Sequence, residues 1–351
     1  MSTVVKSARC SEHEPRALGV NASHQIHTRT TYAALTIHYT QTPMSSIPET
    51  PWIWKNGSFI PWADAQVHIL SHSVQFGSAA FEGIRCYSTP NGSAIFRLRE
   101  HLQRLVHSCH IYRTEIPYSI DEMIDACRAV VVKNDVKFCY IRPMVVRGLG
   151  AIGMAPYDSP IEVYVPCWPW GAYLGEEALA AGVDACVSSW SRMSPNTVPS
   201  LAKIAGNYLS GQLIKMEAMA NGYAEGIGLS AGGMVSEGAG QNVFLVQNGT
   251  LITTPLDGTL LAGITRASII DIAARAGIPF REQAIPREML YTADEVFFTG
   301  TAVEITPVRS IDRIRVGVGK PGPITLQLQK EFLDIVNGRD EDTFGWLTYV
   351  K

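Results

Sequence analysis

Residues 52–62 read "WIWKNGSFIPW", with an Asn56-Gly57 pair between two apolar runs. That dipeptide tolerates the positive φ angles of a two-residue hairpin turn, and no other short signal fixes a strand pairing so firmly. A chain whose dense region opens this way is committed to antiparallel sheet. Helical patterns follow nonetheless. "SAIFRL" reads as a strand running into the helical "REHLQRLVHSCHIYR", and Ser119 opens a second helix, "SIDEMIDACRAVVVKN", with acidic residues in its first turn. "FCYIRPMVV" and "IEVYVPCW" read as strands.

After a break near "PWGAYLGEEALAAG" the alternation resumes with a strand "DACVSSW" and a helix over about 206–220. Strands "EGIGLS", "NVFLVQ" and "TLITTP" come next, then a helix "TRASIIDIAARAG" with Gly277 as its stop. "EVFFTG", "ITPVRSID" and a closing helix near "PITLQLQKEFLDIVNG" complete the series. The pattern predicts a mixed α/β (α+β) chain of two domains, a small one at 44–172 and a large one at 181–351, with a linker at 173–180. Residues 1–43 carry four cations and no sustained periodicity. They are expected to be a disordered extension, or to follow an upstream start codon with Met44 beginning the domain, and a transit peptide is the alternative.

Composition excludes several partners. Of the 351 residues 46% are hydrophobic and 17% charged, which is a globular balance, and a net charge of −3 offers no footprint for nucleic acid. The seven cysteines form no CxxC pair, which fits reduced thiols and a cytoplasmic location. No apolar run approaches the roughly 20 residues of a membrane helix. "GLGAIG" at 148–153 matches a dinucleotide fingerprint, but "MAPYDSP" follows where a helix is needed, so a glycine loop is expected. "HLQRLVHSCH" brings His101, His107, Cys109 and His110 together at no standard ligand spacing, and no metal is expected.

The stretch "PSLAKIAGNYLSG" sets Lys203 among small and apolar residues. Such a lysine either snorkels from a helix rim or, with its pKa lowered, acts as a nucleophile toward a carbonyl. Its company favours the second use. "SEGAGQN" places Glu237 among glycines between strand candidates, either capping a turn or holding a protonated pyridine nitrogen. "LAGITRASII" opens a helix at Gly263, Ile264 and Thr265, and "FFTGTAVE" puts Thr299, Gly300 and Thr301 after a strand. Both have the form of a phosphate cradle, and either is also an ordinary cap or tight turn.

From about Trp52 to Lys351 the chain resembles bacterial branched-chain amino-acid aminotransferases, of the fold type IV pyridoxal-phosphate family. The resemblance rests on "FEGIRCY", "FRLREHLQRL", "YIRP", "PWGAYLG", "AKIAGNYLS", "SEGAGQN", "AGITR" and "GTAVEITPVRSID", in family order. It implies a cofactor, pyridoxal 5′-phosphate, held as a Schiff base by Lys203, which then serves as the base. Glu237 would pair with the pyridine nitrogen and Tyr208 with O3′. Arg104, Thr265, Thr301 and the backbone of Ile264 would hold the phosphate, and Leu261 would pack on the ring.

On the substrate side the resemblance implies that Tyr140 and the backbone at Thr301 and Ala302 bind the α-carboxylate. Arg142 would reach the γ-carboxylate of glutamate, and Phe81, Trp170 and Tyr173 would form apolar walls. Relatives often carry "HYG" where this chain has "QFG", so Phe76 lacks a hydroxyl that helps hold substrate. The implied activity moves the amino group of L-leucine, L-isoleucine or L-valine to 2-oxoglutarate by a ping-pong route, in branched-chain amino-acid biosynthesis. The implied assembly is a homodimer or a hexamer built from dimers, in which Phe76 and the 148–153 loop serve a neighbouring subunit. D-amino-acid and (R)-selective amine transaminases and aminodeoxychorismate lyase share the fold, and a non-catalytic cofactor-binding protein is the remaining alternative.

Overall fold

The computed structural model describes residues 47–171 and 174–351; the expected N-terminal extension and Tyr173 lie outside them. Asn56 and Gly57 both take positive φ, 46° and 90°, and turn the strand Trp52–Lys55 back onto Ser58–Pro61. This hairpin edges a five-stranded sheet continued by Ile161–Val165, Met144–Arg147 and Ala80–Phe81. A second five-stranded sheet runs Leu347–Tyr349, Gly92–Phe96, Ile84–Thr89, Cys139–Ile141 and Cys167–Trp168. The helices Leu98–Ile111 and Ile120–Lys133 bury Leu98, Leu102, Leu105, Met123, Cys127 and Val130 in a common core with residues of both sheets. Ser119 and Glu122 form the reciprocal cap that starts the second helix.

"FCYIRPMVV" and "IEVYVPCW" are each two strands rather than one, with Pro143 and Pro166 at the breaks. Proline has no N–H to give a ladder. Each break therefore sends the chain from one small sheet to the other.

The second half builds a nine-stranded mixed sheet, ordered Val235–Gly238, Glu225–Leu229, Val183–Ser191, Glu304–Ile311, Glu295–Gly300, Asn242–Gln247, Thr250–Thr253 and Phe280–Glu282, with Ile314–Arg315 paired to Glu304–Ile311. Alternate residues of its strands face opposite ways. Val243 and Leu245 join a core with Ile227 and Phe298, whereas Phe244 and Val246 join the helices Ile264–Arg275 and Pro323–Val336 through Ile269, Ile272, Leu328 and Phe332. Burial on both faces explains why "NVFLVQ" and "EVFFTG" are almost continuously apolar. Glu237 sits within the strand Val235–Gly238, not between strands as the sequence suggested, because its flanking Val235 and Gly238 pair with Leu229 and Ile227. At 148–153 no helix begins, and Gly150 is there because a Cβ would stand 2.4 Å from the Asp158 carbonyl.

Candidate active site

The chain passes between the small sheets three times, at Glu82–Gly83, Arg142–Pro143 and Pro166. A cavity of about 310 Å³ opens beside them, lined by Phe81, Gly83, Tyr140 and Arg142 on that side. Glu237, Leu261, Ile264, Thr265, Thr301 and Ala302 line the side formed by the large sheet. Lys203, Tyr208, Arg104 and Trp170 complete it. The volume lies in the range of small-molecule sites.

Residues 203–205 run along the strand Ala80–Phe81. Phe81 N donates to the Lys203 carbonyl at 3.1 Å and Ala205 N to the Ala79 carbonyl at 2.8 Å, while Lys203 N donates to Ser108 Oγ at 2.9 Å. With its backbone fixed, Lys203 sends Nζ to Tyr208 Oη at 2.5 Å, and Nζ lies 4.9 Å from the Phe81 ring centre. Burial, reinforced by the charge of Arg104, brings the amine from 10.5 down to about 8. About a tenth of Lys203 is then uncharged at pH 7, far more than for a free lysine, as a nucleophile or base requires. Burial also pushes the Tyr208 phenol up, so that group stays protonated.

Two buried carboxylate–arginine pairs flank the lysine. Glu82 accepts from Arg104 Nε at 2.6 Å and Nη2 at 2.9 Å, and from His101 Nδ1 at 2.7 Å. Burial alone would raise the Glu82 carboxyl, but Arg104's charge and His101's contact reverse this and hold it below its usual range. Glu237 accepts from Arg192 Nη2 at 2.5 Å and from Asn242 Nδ2 at 3.1 Å. Here burial prevails over Arg192, and the carboxyl is raised. Room for Arg192 comes from Gly228, where a Cβ would stand 2.8 Å from Arg192 Cγ.

The turn before the helix Ile264–Arg275 presents its first N–H groups to the cavity. Gly263 is required there, since a Cβ would fall 2.0 Å from Asn242 Oδ1. Arg104 Nη1 donates to the Ala262 carbonyl at 2.8 Å, tying the guanidinium to that turn. Two buried polar atoms of lining residues, Thr299 Oγ1 and Gln241 Nε2, have no partner among the described residues. Such groups ordinarily bond something, and both residues belong to the cavity lining.

On the opposite side Tyr140 Oη accepts from Arg142 Nη2 at 3.2 Å. It passes over Gly83, where a Cβ would stand 1.8 Å from the hydroxyl. The Arg142 guanidinium lies 4.9 Å from the Phe81 ring centre and 5.1 Å from that of Tyr140, and Trp170 packs edge-on against Tyr140 at 4.6 Å. A cation among aromatic rings suits both an apolar side chain and a carboxylate.

Most residues singled out in the sequence therefore meet in one cavity. Phe76 does not: it is 41% exposed, packs on His72 and lies outside the lining. His101 turns inward to Glu82, while His107 and His110 point outward from the same helix, so the histidines do not converge. Sequence reading missed Glu82, Arg192 and Asn242. Glu82 offered a signal, a lone charge in "SAAFEGI"; Arg192 in "SWSRMS" offered none.

Residues 79–311 match the family model described as amino-transferase class IV. The branched-chain-amino-acid aminotransferase of Escherichia coli K12 is 50% identical over 303 residues, spanning 86% of this chain and 97% of the relative. A crystal structure of the Escherichia coli branched-chain amino acid aminotransferase superposes with a TM-score of 0.85 at 49% identity, covering 86% of this chain and all of that one. The PLP-form (holo-form) of the enzyme from Thermobaculum terrenum superposes at 0.80 with 35% identity, covering 86% and 99%. The chain belongs to the class IV aminotransferases, in the branched-chain-amino-acid aminotransferase family.

Proposed function

We propose that this protein uses pyridoxal 5′-phosphate to move the amino group of L-leucine, L-isoleucine or L-valine to 2-oxoglutarate by a ping-pong route. The observation that carries the reading is the meeting of Lys203, Glu237, Arg104 and Arg142 in a single cavity. The cofactor fits these residues. A lysine brought to about 8, a buried carboxylate, and the orphaned donors Thr299 Oγ1 and Gln241 Nε2 supply what a Schiff base, a pyridinium and a phosphate need. Arg104, Thr265, Thr301 and the N–H of Ile264 would hold the phosphate, Leu261 the ring face, and Tyr208 the ring oxygen.

Pyridoxal phosphate supplies an electron sink for the substrate's α-carbon. The chain's residues do the rest. Lys203 Nζ takes the α-proton and returns it, a task that suits an amine titrating near neutrality. Arg192 behind Glu237 favours the ionised carboxylate that holds a ring proton. Tyr140 and the 301–302 backbone orient the α-carboxylate. Phe81 and Trp170 exclude water around a branched side chain, and Arg142 receives the second carboxylate of glutamate or 2-oxoglutarate.

The same reading includes a small domain at 44–172, a linker at 173–180, a large domain at 181–351 whose last strand, Leu347–Tyr349, returns to the second small sheet, a cytoplasmic location and a homo-oligomer. Support for the oligomer comes from exposed Ile69, Leu70, Val74, Phe76, Leu149, Ile152 and Met154 on segments joined through the His72 N to Gly148 carbonyl bond, 3.2 Å. A second subunit covering them would bring Phe76 and this loop to a neighbouring cavity. Among described residues no helix is long and apolar enough to cross a membrane.

The test is the visible spectrum of purified protein before and after L-leucine, with no oxo acid present. The band of lysine-bound cofactor should give way to that of its aminated form, and 2-oxoglutarate should restore it. A band that ignores L-leucine but answers D-alanine or (R)-1-phenylethylamine would move the assignment to another member of the fold.

A further inference from the structure

Glu82 is fully buried, yet nothing above gives it a task. Its carboxylate is saturated: Oε1 accepts from Arg104 Nε, and Oε2 accepts from Arg104 Nη2, His101 Nδ1 and the Gly83 N–H, the last at 3.1 Å. The cavity lining includes Arg104 and not Glu82. Glu82 thus meets no ligand directly. A buried ion pair is a weak source of net stability, so what this arrangement chiefly secures is geometry.

The geometry is specific. A guanidinium has five N–H donors in a rigid plane. Glu82 takes the Nε–Nη2 edge, and the Ala262 carbonyl takes one donor of Nη1. Three anchors on two elements fix the plane and leave two donors, one on each terminal nitrogen, for the cavity. Ala262 immediately precedes the turn whose N–H groups open the helix Ile264–Arg275, so these free donors and the helix N-terminus are held in one frame. Without Glu82 the guanidinium would keep only the Ala262 contact and would rotate.

We propose that Glu82 is a positioning residue that, through Arg104, aims two N–H donors at the phosphate end of the cavity and so sets the preference for phosphorylated over unphosphorylated pyridoxal. The inference rests on the cofactor reading above. His101 assists by donating Nδ1–H to the same carboxylate.

The experiment is equilibrium dialysis of the holoenzyme against graded pyridoxal 5′-phosphate and, in parallel, against pyridoxal. In Glu82→Gln the dissociation constant for pyridoxal divided by that for pyridoxal 5′-phosphate should fall about 10- to 100-fold, through loss of phosphate affinity alone, as expected for a misdirected charged hydrogen-bond pair. In the Arg104→Gln background the same change should alter the ratio less than about twofold, because the residue it positions is gone. Should Glu82→Gln be recovered unfolded, Glu82→Asp keeps the charge and withdraws the carboxylate by one methylene, and an intermediate fall is expected. Equal weakening toward both ligands, or none, would overturn the proposal and give Glu82 a purely structural role. A wild-type protein that holds neither ligand would remove the cofactor reading itself, and this inference with it.

Discussion

The two carboxylate–arginine pairs beside Lys203 are built from the same parts and face opposite ways. At Glu82–Arg104 the arginine lines the cavity and the carboxylate stands behind it; at Glu237–Arg192 the carboxylate lines the cavity and the arginine stands behind. One pair therefore presents a cation where a phosphate is expected, and the other an anion where a pyridinium is expected. Their electrostatics follow the arrangement. Glu82 has four donors and is held below the carboxylate range, whereas Glu237 has fewer charged contacts and burial leaves it raised. In both, the residue that touches the cavity depends on a partner that does not.

Lys203 lies in the same cavity as both pairs, and on the proposed reading Lys203→Ala should abolish steady-state transamination. Surviving wild-type rates would detach the pairs from the chemistry. Glu237→Gln keeps the shape and removes the charge presented by the second pair, and kcat should fall by about 10² to 10⁴ while cofactor stays bound. An unchanged kcat would mean the two pairs are not opposites in function.

Arg192→Gln attacks the same pair from behind. It leaves Glu237 buried without its cation, so the unfolding free energy should drop by about 3 kcal/mol in denaturant titration, with the carboxyl raised further. No loss of stability would contradict a supporting role for Arg192. Tyr208→Phe removes the hydroxyl 2.5 Å from Lys203 Nζ and should lower kcat about tenfold with little change in cofactor retention.

The smallest effect is one of pH. Lys203 titrates near 8 when folded and near 10.5 when unfolded, so the unfolded chain binds more protons between those values. Its contribution to the stability of the cofactor-free protein should therefore rise as pH increases from about 8 toward 10. Arg104→Gln removes a cation beside the amine and should move the lower limit of that window upward, as measured by the pH dependence of pyridoxal capture.

How much of this was legible beforehand differs by residue. Lys203 announced itself by its apolar neighbours, and the cradle at 263–265 by small residues opening a helix. Glu237 was visible as a carboxylate among glycines, but its place in a strand depends on pairing with Glu225–Leu229. Arg192 gave no sign, since nothing local says that a residue 45 positions from Glu237 will meet it. The breaks at Pro143 and Pro166 were present in the letters, yet only pairing with different neighbours reveals that each marks a passage between sheets.

Local chemistry thus determined the elements. Proline ends a strand, Asn-Gly turns one, Ser119 with Glu122 caps a helix, and an isolated lysine among apolar side chains titrates low wherever it is buried. Tertiary structure decided which charges meet and which of each pair looks into the cavity, because a side chain's electrostatic role depends on neighbours a few ångströms away that the chain order leaves far apart. Phe76 is the clearest case: the resemblance marked it as a substrate-side residue serving a neighbouring subunit's pocket, and only the fold shows it on the surface, outside the lining of this chain's own cavity.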